Sequence, residues 1–529
     1  MRLTMFITLV AVCATLAMPA FAELQTVQVG GEITIRGNWM MNVPVDPTSL
    51  SPVPFANYLR WSALGLAKRP LGSWSGGNAG IFSDFAWDQD NSNDAKYVSQ
   101  RTRLNVKADF TNDVSAFIEL DAYNNWGDNF RSDYVTGADN RLGDNVVLYQ
   151  AYIEAKNMWG IPLSAKIGRQ EISLGSGWLV GTNEGGINPT GLSFDGVRLS
   201  YGVDVFSVDA FMAKLAENGV VEQDGDIDLY GLYASFKGIE NVSLDGYALW
   251  LRDAQRLNDT NLIWFGEWIE NVLGLDDYDV TNLYTVGLRG AGTLGQFDFE
   301  AEFAYQWGDA DQVGFMFNPL VYGDADADFG QWAGNLEVGY TFDIAVQPRI
   351  FLGGAYFGGE DNRDLTFFQW LNPFYKPSAS VSFNRLFSNW QYSPFFDADG
   401  ALSNVWLAKG GVSIKPMETV EVALMATYFQ AIEAFDAPLH VKLGRYRVPI
   451  LPFLSFATSE NDKDLGWEVD LSAKYKYSED LSFKVGYSHL FSGKGLTDGA
   501  YVTNNGLAFS GGTGDDDADY VYVETKLAF

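Results

Sequence analysis

Cysteine is nearly missing from this chain. Its 529 residues hold one, Cys13, inside the N-terminal stretch "MFITLVAVCATLAM". Arg2 gives that stretch a positive n-region, and Ala20, Phe21 and Ala22 form a small-x-small cleavage pattern. Residues 1–22 are therefore expected to be a cleaved secretory signal peptide, with the mature chain starting at Glu23. What remains is a secreted chain without a thiol, which excludes a small disulfide-stapled domain. Long apolar runs are missing too. No segment after the leader has eighteen consecutive apolar residues, which excludes membrane helices. Basic residues are scarce, at 35 Lys and Arg against 67 Asp and Glu, for a formal net charge of −32. Nucleic acid is excluded as a partner, because neutralising phosphates takes clustered Lys and Arg. Histidine occurs twice, as His440 and His489, neither with a second ligand at metal spacing, and no G-x-S-x-G elbow is present. The expectation is a protein that is not an enzyme and has no cofactor. No Pro/Ser-rich hinge or low-complexity tract divides the chain, so 23–529 is expected to be one domain.

Aromatic residues (15%) and glycine (55 residues) are plentiful, and their arrangement is informative. In "FDFEAEFAYQW" (297–307) the aromatic residues and Ala301 point one way, while Asp298, Glu300, Glu302 and Gln306 point the other. "WAGNLEVGYTF" (332–342) and "WEVDLSAKYKY" (467–477) alternate in the same manner. Segments of about ten residues with aromatic ends are the pattern of a transmembrane strand with lipid outside and a polar lumen inside. Eighteen such strands can be read, near 28–40, 99–110, 113–124, 145–156, 161–171, 192–202, 203–214, 225–237, 241–252, 279–292, 295–308, 328–342, 347–359, 402–415, 418–431, 463–477, 480–492 and 516–529. Short turns such as "TND" (111–113) and "SED" (478–480) alternate strictly with long loops such as 41–98, 172–191 and 360–401. The fold class is thus an all-β, transmembrane antiparallel β-barrel of about 18 strands, with short periplasmic turns and long extracellular loops, in the bacterial outer membrane. The final strand ends on Phe529, an aromatic terminus of the kind that outer-membrane assembly machinery recognises.

The strand phase also sorts the charges. Charge on the lipid face near the midplane costs about 2–4 kcal/mol, so charged positions turn inward. Arg36, Arg101, Arg103, Lys107, Lys166, Arg198, Arg289, Arg349 and Lys409 are expected to line the lumen. Glu32, Asp109, Glu154, Asp298, Glu300, Glu302, Glu337, Glu468 and Asp470 are expected there as acids. Bases gather on the N-terminal strands and acids from strand 11 onward, an asymmetry that would set up a field across the pore. Two roles stay open for these residues: structural pairing across neighbouring strands, or contact with a passing solute. Most of the net negative charge falls in outer loops, as in "DFAWDQDNSND" (84–94) and "GDDDADY" (514–520). Asp324, Asp326 and Asp328 have the one-three-five spacing of a calcium loop, but position twelve is Asn335, so these loops are at most loose divalent-cation sites. Two loops are candidates for a constriction folded into the pore: 41–98, with "PLGSWSGGNAGIF", and the Phe- and Trp-rich 360–401.

"LGSGWLVG" (174–181) looks at first like a nucleotide-binding glycine loop, yet it leads into the strand "LSFDGVRLS" with no helix between. It reads instead as a surface loop turning tightly at the pore mouth, with Trp178 and Leu179 packed inward or at the membrane rim, and it is the first place to look for a constriction. The order "KIGRQEISLGSGWLVG" (166–181) then "NPTGLSFDGVRLSYG" (188–202) resembles the alginate-export family of outer-membrane barrels. The resemblance is clearest over 99–202. It implies passive export of an anionic, alginate-like exopolysaccharide through an arginine-lined pore. It implies carboxylate contacts for Arg101, Arg103, Arg169 and Arg198, since Arg forks match carboxylates. Arg169 itself falls in the outward phase of "SAKIGRQ" unless Gly168 introduces a bulge, and the strand 16–17 turn is shorter than in that family. The alternatives are a general or substrate-selective porin for small polar solutes, and a structural or adhesive barrel. Expected partners are outer-membrane lipid and lipopolysaccharide, the transported polysaccharide or solute, and periplasmic secretion proteins.

Overall fold

The structure is a computed structural model. It describes residues 23–42, 94–127, 146–217, 226–254, 280–309, 327–359, 379–433, 462–495 and 517–529, apart from positions 188, 399 and 401, together with residue 368 and four short strands between 436 and 460. Residues 1–22 (the expected signal peptide), most of the acidic loop stretches and the constriction candidate in 41–98 lie outside these residues. Eighteen long strands form the wall: β1 Leu24–Met41, β2 Ala95–Phe110, β3 Val114–Asn125, β4 Val146–Ala155, β5 Leu163–Gln170, β6 Phe194–Val203, β7 Phe206–Ala216, β8 Ile227–Ile239 and β9 Val242–Asp253. The second half is β10 Thr281–Leu294, β11 Phe297–Asp309, β12 Trp332–Thr341, β13 Arg349–Phe357, β14 Val405–Met417, β15 Val420–Ala431, β16 Asp464–Lys476, β17 Leu481–Ser492 and β18 Ala518–Ala528. Each pairs antiparallel with its sequence neighbours. The ring closes because β1 pairs with both β2 and β18, Glu32 lying opposite Arg103 on one side and Ala528 on the other.

The short turns carry the residues their geometry needs. Asn112 and Asp113, between β2 and β3, both have positive φ (64° and 58°), as does Asn241 (58°) between β8 and β9. Two-residue hairpin turns require such angles to match the strand twist, and Asn and Asp tolerate them. One expected strand, 328–342, is divided in the structure. Gly330 and Gln331 interrupt it, and Ala327–Phe329 stays paired antiparallel with the end of β11 at Gly308 and Asp309 while also pairing in parallel with Ala379–Val381.

The outer wall is apolar where it would meet lipid: Ile153, Leu288, Leu336 and Leu352 are each more than half exposed. No helix among the described residues is long and apolar enough to cross a membrane, so the strands do the crossing. The buried core lies inside the barrel. Two outer loops, 171–193 and 382–404, fold into the lumen and pack together against inward-facing Leu229, Leu249, Phe357, Leu407 and Phe429. Their backbones interlock, with Gly181 N–H donating to the Phe387 carbonyl (2.8 Å), Phe387 N–H to the Leu179 carbonyl (2.8 Å) and Asn389 N–H to the Gly177 carbonyl (2.9 Å). A Cβ on Gly181 would stand 2.5 Å from the Asn389 Cβ, so the crossing needs glycine there.

Candidate functional site

Trp178 is the peg that joins the two loops. It is fully buried, its ring lies 5.7 Å from that of Phe357 on β13, and its Nε1–H donates to the Tyr392 hydroxyl (2.8 Å). Tyr392 in turn donates to Asn335 Oδ1 of β12 (3.0 Å). The second loop is held at its tip by the buried carboxylate of Glu468 on β16, which accepts from the backbone N–H of Phe395 (3.0 Å) and Phe396 (2.7 Å). Within that loop Arg385 pairs with Asp397 (3.0 Å), both buried, and burial pushes the Asp397 carboxyl above the ordinary carboxylate range despite the guanidinium beside it.

Packed against the far wall in this way, the loops leave a polar cavity of about 230 Å³ against β1, β2, β17 and β18. Its lining holds five basic side chains (Arg36, Arg101, Arg103, Lys484 and Lys526) and three carboxylates (Glu32, Glu184 and Glu524). Strand alternation places Arg36, Arg101 and Arg103 on it, since each shares the inward face of its strand. Arg36 donates to the Gly186 carbonyl of the first loop (2.7 Å) and sits 4.2 Å from the Tyr522 ring centroid. Arg101 donates twice to Asp121 of β3, through Nε (2.9 Å) and Nη2 (2.7 Å). Arg103 lies among four carboxylates: Glu32 (3.5 Å), Glu119 (3.6 Å), Glu171 (3.9 Å) and Glu184, its close hydrogen-bond partner. Glu184 comes from the first loop and also lies 3.7 Å from Arg101, so one carboxylate bridges two guanidiniums. Lys526 pairs with Glu32 (2.7 Å), while Lys484 makes no ion pair among the described residues and stands 5.3 Å from the Tyr522 ring. Glu171, just past β5, accepts from the Tyr149 hydroxyl (2.7 Å), and burial raises its pKa above the ordinary carboxylate value.

The other expected lumenal charges lie outside this aperture. Arg198 pairs with Asp209 (2.9 Å), and Arg289 with Asp245 (2.7 Å) and Glu300 (2.8 Å), Glu302 standing at 3.8 Å. Arg349 pairs with Glu337 (2.9 Å) and also hydrogen-bonds Asp298, and Lys409 meets Glu337 (2.6 Å). Lys107 pairs with Asp109 (2.9 Å), Lys166 rests 4.4 Å from the Tyr152 ring centroid, and Glu154 pairs with Lys156 (3.4 Å). Bases and acids are therefore interleaved around the wall. The transverse separation read from the strand order is not present, because carboxylates such as Asp121, Asp209 and Asp245 occupy inward positions on N-terminal strands.

Arg169 is a correction to the expected pore lining. The β4–β5 register runs through Gly168 without a shift, so no bulge turns Arg169 inward. It shares the outer face with Ile167 and forms a two-pronged pair with Asp195 of β6 (2.7 and 2.8 Å), which makes a charge tolerable on that face. The carboxylates of Asp121, Asp209 and Asp245 were legible from alternation but were not singled out, as were Lys484, Glu524 and Lys526. Glu184 has no local signal at all, since only the inward fold of its loop brings it to the arginines. Among the described residues no group of three or more His, Cys, Asp or Glu is arranged to hold a metal ion. Asp324 and Asp326 lie outside those residues. His489 is on the outer face, its Nδ1 2.7 Å from Asp519 Oδ1.

A closed strand barrel with an apolar exterior and a charged internal aperture defines an outer-membrane channel. The chain belongs to the alginate-export family, whose model, described as "Alginate export", matches residues 79–508. No curated protein sequence matches it. Among solved structures it is similar to Pseudomonas aeruginosa OccD3 (OpdP), at 12% identity over 98% of this chain and 96% of that one, with a TM-score of 0.46. P. aeruginosa OccK8 (OprE) is 11% identical over 95% and 98% of the two chains, with a TM-score of 0.47. The outer membrane protein OpdK of the same organism is 10% identical over 95% and 99%, with a TM-score of 0.43.

Proposed function

We propose that this channel passes an anionic, uronate-type exopolysaccharide outward across the outer membrane by passive diffusion. The observation that carries the reading is Glu184, whose carboxylate bridges Arg101 and Arg103 in the aperture. A loop carboxylate between two guanidiniums marks a place where a sugar carboxylate has the same fit. Because Glu184 is one-third exposed, exchange of its bonds for those of a passing uronate needs little desolvation. The lining itself presents five bases against three acids, with Glu119, Asp121 and Glu171 paired to Arg101 and Arg103 behind it, so what draws an anion here is the set of guanidinium and ammonium donors at the cavity surface and not a net positive charge. Repeated units can then pass from one arginine to the next, each bound loosely enough to leave.

One observation favours a second reading. The cavity is about 230 Å³, a size that suits a single small polar solute. Conductance in planar bilayers separates the two. With polyuronate added, the exporter reading expects concentration-dependent block that falls as salt rises; block by small sugars or small anions but not by polyuronate overturns it. A folded barrel with no conductance would place the protein among structural or adhesive barrels.

A further inference from the structure

The outer face of β5–β10 carries a feature that transport does not use. Following the pairing register across these strands, Arg169, Asp195, Lys214, Asp228, Arg252 and Asn282 stand opposite one another in one continuous row near the outer ends. Arg169–Asp195 (2.7 Å) and Lys214–Asp228 (3.0 Å) are ion pairs on that row, and Trp250 Nε1–H donates to Asn282 Oδ1 (3.1 Å). Arg252 makes no ion pair among the described residues. Two residues inward along each strand, about 5 Å nearer the membrane centre once the strand tilt is included, the register brings together Met212, Tyr230, Trp250, Tyr284 and Trp307. Their rings stack in series, at 4.9 Å for Tyr230–Trp250, 5.9 Å for Trp250–Tyr284 and 5.6 Å for Tyr284–Trp307. An aromatic girdle under a charged row marks the headgroup boundary of the outer leaflet.

Directly below that girdle the wall is hollow. Ala210 and Ala248 place methyl groups where the surrounding Leu199, Leu232 and Val286 are larger, leaving an open apolar groove of about 530 Å³ bordered by Trp250. We infer that this groove and Arg252 together form a binding site for a phosphorylated, multiply acylated glycolipid of the outer leaflet, an acyl chain filling the groove and a headgroup phosphate meeting the Arg252 guanidinium. The chemistry is complementary at both ends. The groove faces hydrocarbon, and the adjacent boundary row offers one guanidinium that no carboxylate among the described residues takes up, suited to the forked recognition of phosphate. A second copy of the chain fits less well, because a two-fold interface needs a self-complementary patch of roughly 600–1,000 Å² per partner, whereas this surface is concave and bordered by fixed charges.

The test is native mass spectrometry of the full-length barrel in detergent, with bis-phosphorylated lipid A and its dephosphorylated form as probes. The wild type is expected to retain the phosphorylated probe. Ala248→Trp, which fills the groove, should abolish retention of both probes. Arg252→Glu should lower retention of the phosphorylated probe by about tenfold or more and leave the dephosphorylated one unchanged. Leu352→Trp, on the lipid face of β13 outside the groove, should change neither, and wild-type conductance of all three variants shows that they are folded. Equal retention by every variant, or indifference to the phosphate, overturns the proposal. A dimer lost on Ala248→Trp would instead assign the groove to a second copy.

Discussion

Removing the Trp178 indole should open the aperture without unfolding the barrel. In Trp178→Ala a fully buried side chain disappears from between Phe357 (5.7 Å) and Phe383 (6.5 Å), and the Tyr392 hydroxyl loses its 2.8 Å donor. Truncating a buried tryptophan costs about 3–5 kcal/mol. That raises the ratio of released to docked loop by roughly two to three and a half orders of magnitude. The loss falls on the packing of 171–193 against 382–404, while the eighteen-strand ladder keeps its hydrogen bonds, so heat-modifiable migration and overall strand content should be unchanged. Single-channel conductance should rise severalfold, with anion preference weakened, because Glu184, Gly186 and Gln391 no longer hold the loop edge of the cavity in place. Trp178→Phe keeps the ring packing and loses only the hydrogen bond, about 1 kcal/mol, and should give an intermediate result. A control, Trp159→Ala, removes a tryptophan that is 80% exposed at a short turn and should do nothing. Wild-type conductance and selectivity in Trp178→Ala would refute the view that these loops define the aperture.

Three further outcomes follow from the geometry. Arg103→Ala leaves Glu32, Glu119 and Glu184 without their shared cation, so reversal potentials in a salt gradient should shift toward cation preference, and polyuronate block should weaken by about tenfold or more. Glu468→Gln keeps the shape but weakens the acceptor of two buried N–H groups, so the loop tip at Phe395 and Phe396 should show faster hydrogen exchange with little change in barrel stability. Glu171 has a raised pKa and so takes up its proton at a higher pH than an ordinary carboxylate. Anion preference should therefore increase as pH falls, in a step lying at higher pH than an unperturbed glutamate would give, and Glu171→Gln should remove that step; a step that survives the substitution would assign it to another group.

How much could be read from the sequence depended on how far apart the interacting residues lie in the chain. All eighteen wall strands were legible, because lipid on one face and water on the other impose a period of two that needs no partner to be seen. Their ends were read less well: β1 begins at Leu24 rather than near 28, since strands run on beyond the hydrocarbon where alternation relaxes. Lumenal placement of Arg36, Arg101 and Arg103 followed from the same period. Arg169 did not, because the outward phase was right and the family motif was allowed to override it. Inward-facing Phe357, Phe429 and Leu407 are apolar positions in an otherwise polar lumen, and the two loops supply their apolar partner, which no local pattern announces.

The alternating pattern by itself therefore determined the barrel wall and which side chains face its interior, since solvation by lipid acts on each residue separately. Only the tertiary structure decided how two loops pack together inside it. "LGSGWLVG" carries the glycines that let a loop turn and cross another closely, but the Trp178–Tyr392 bond spans 214 positions. Glu184 meets Arg103 across 81 positions. Contacts of that range depend on which surfaces fill the barrel together, and no local period records them.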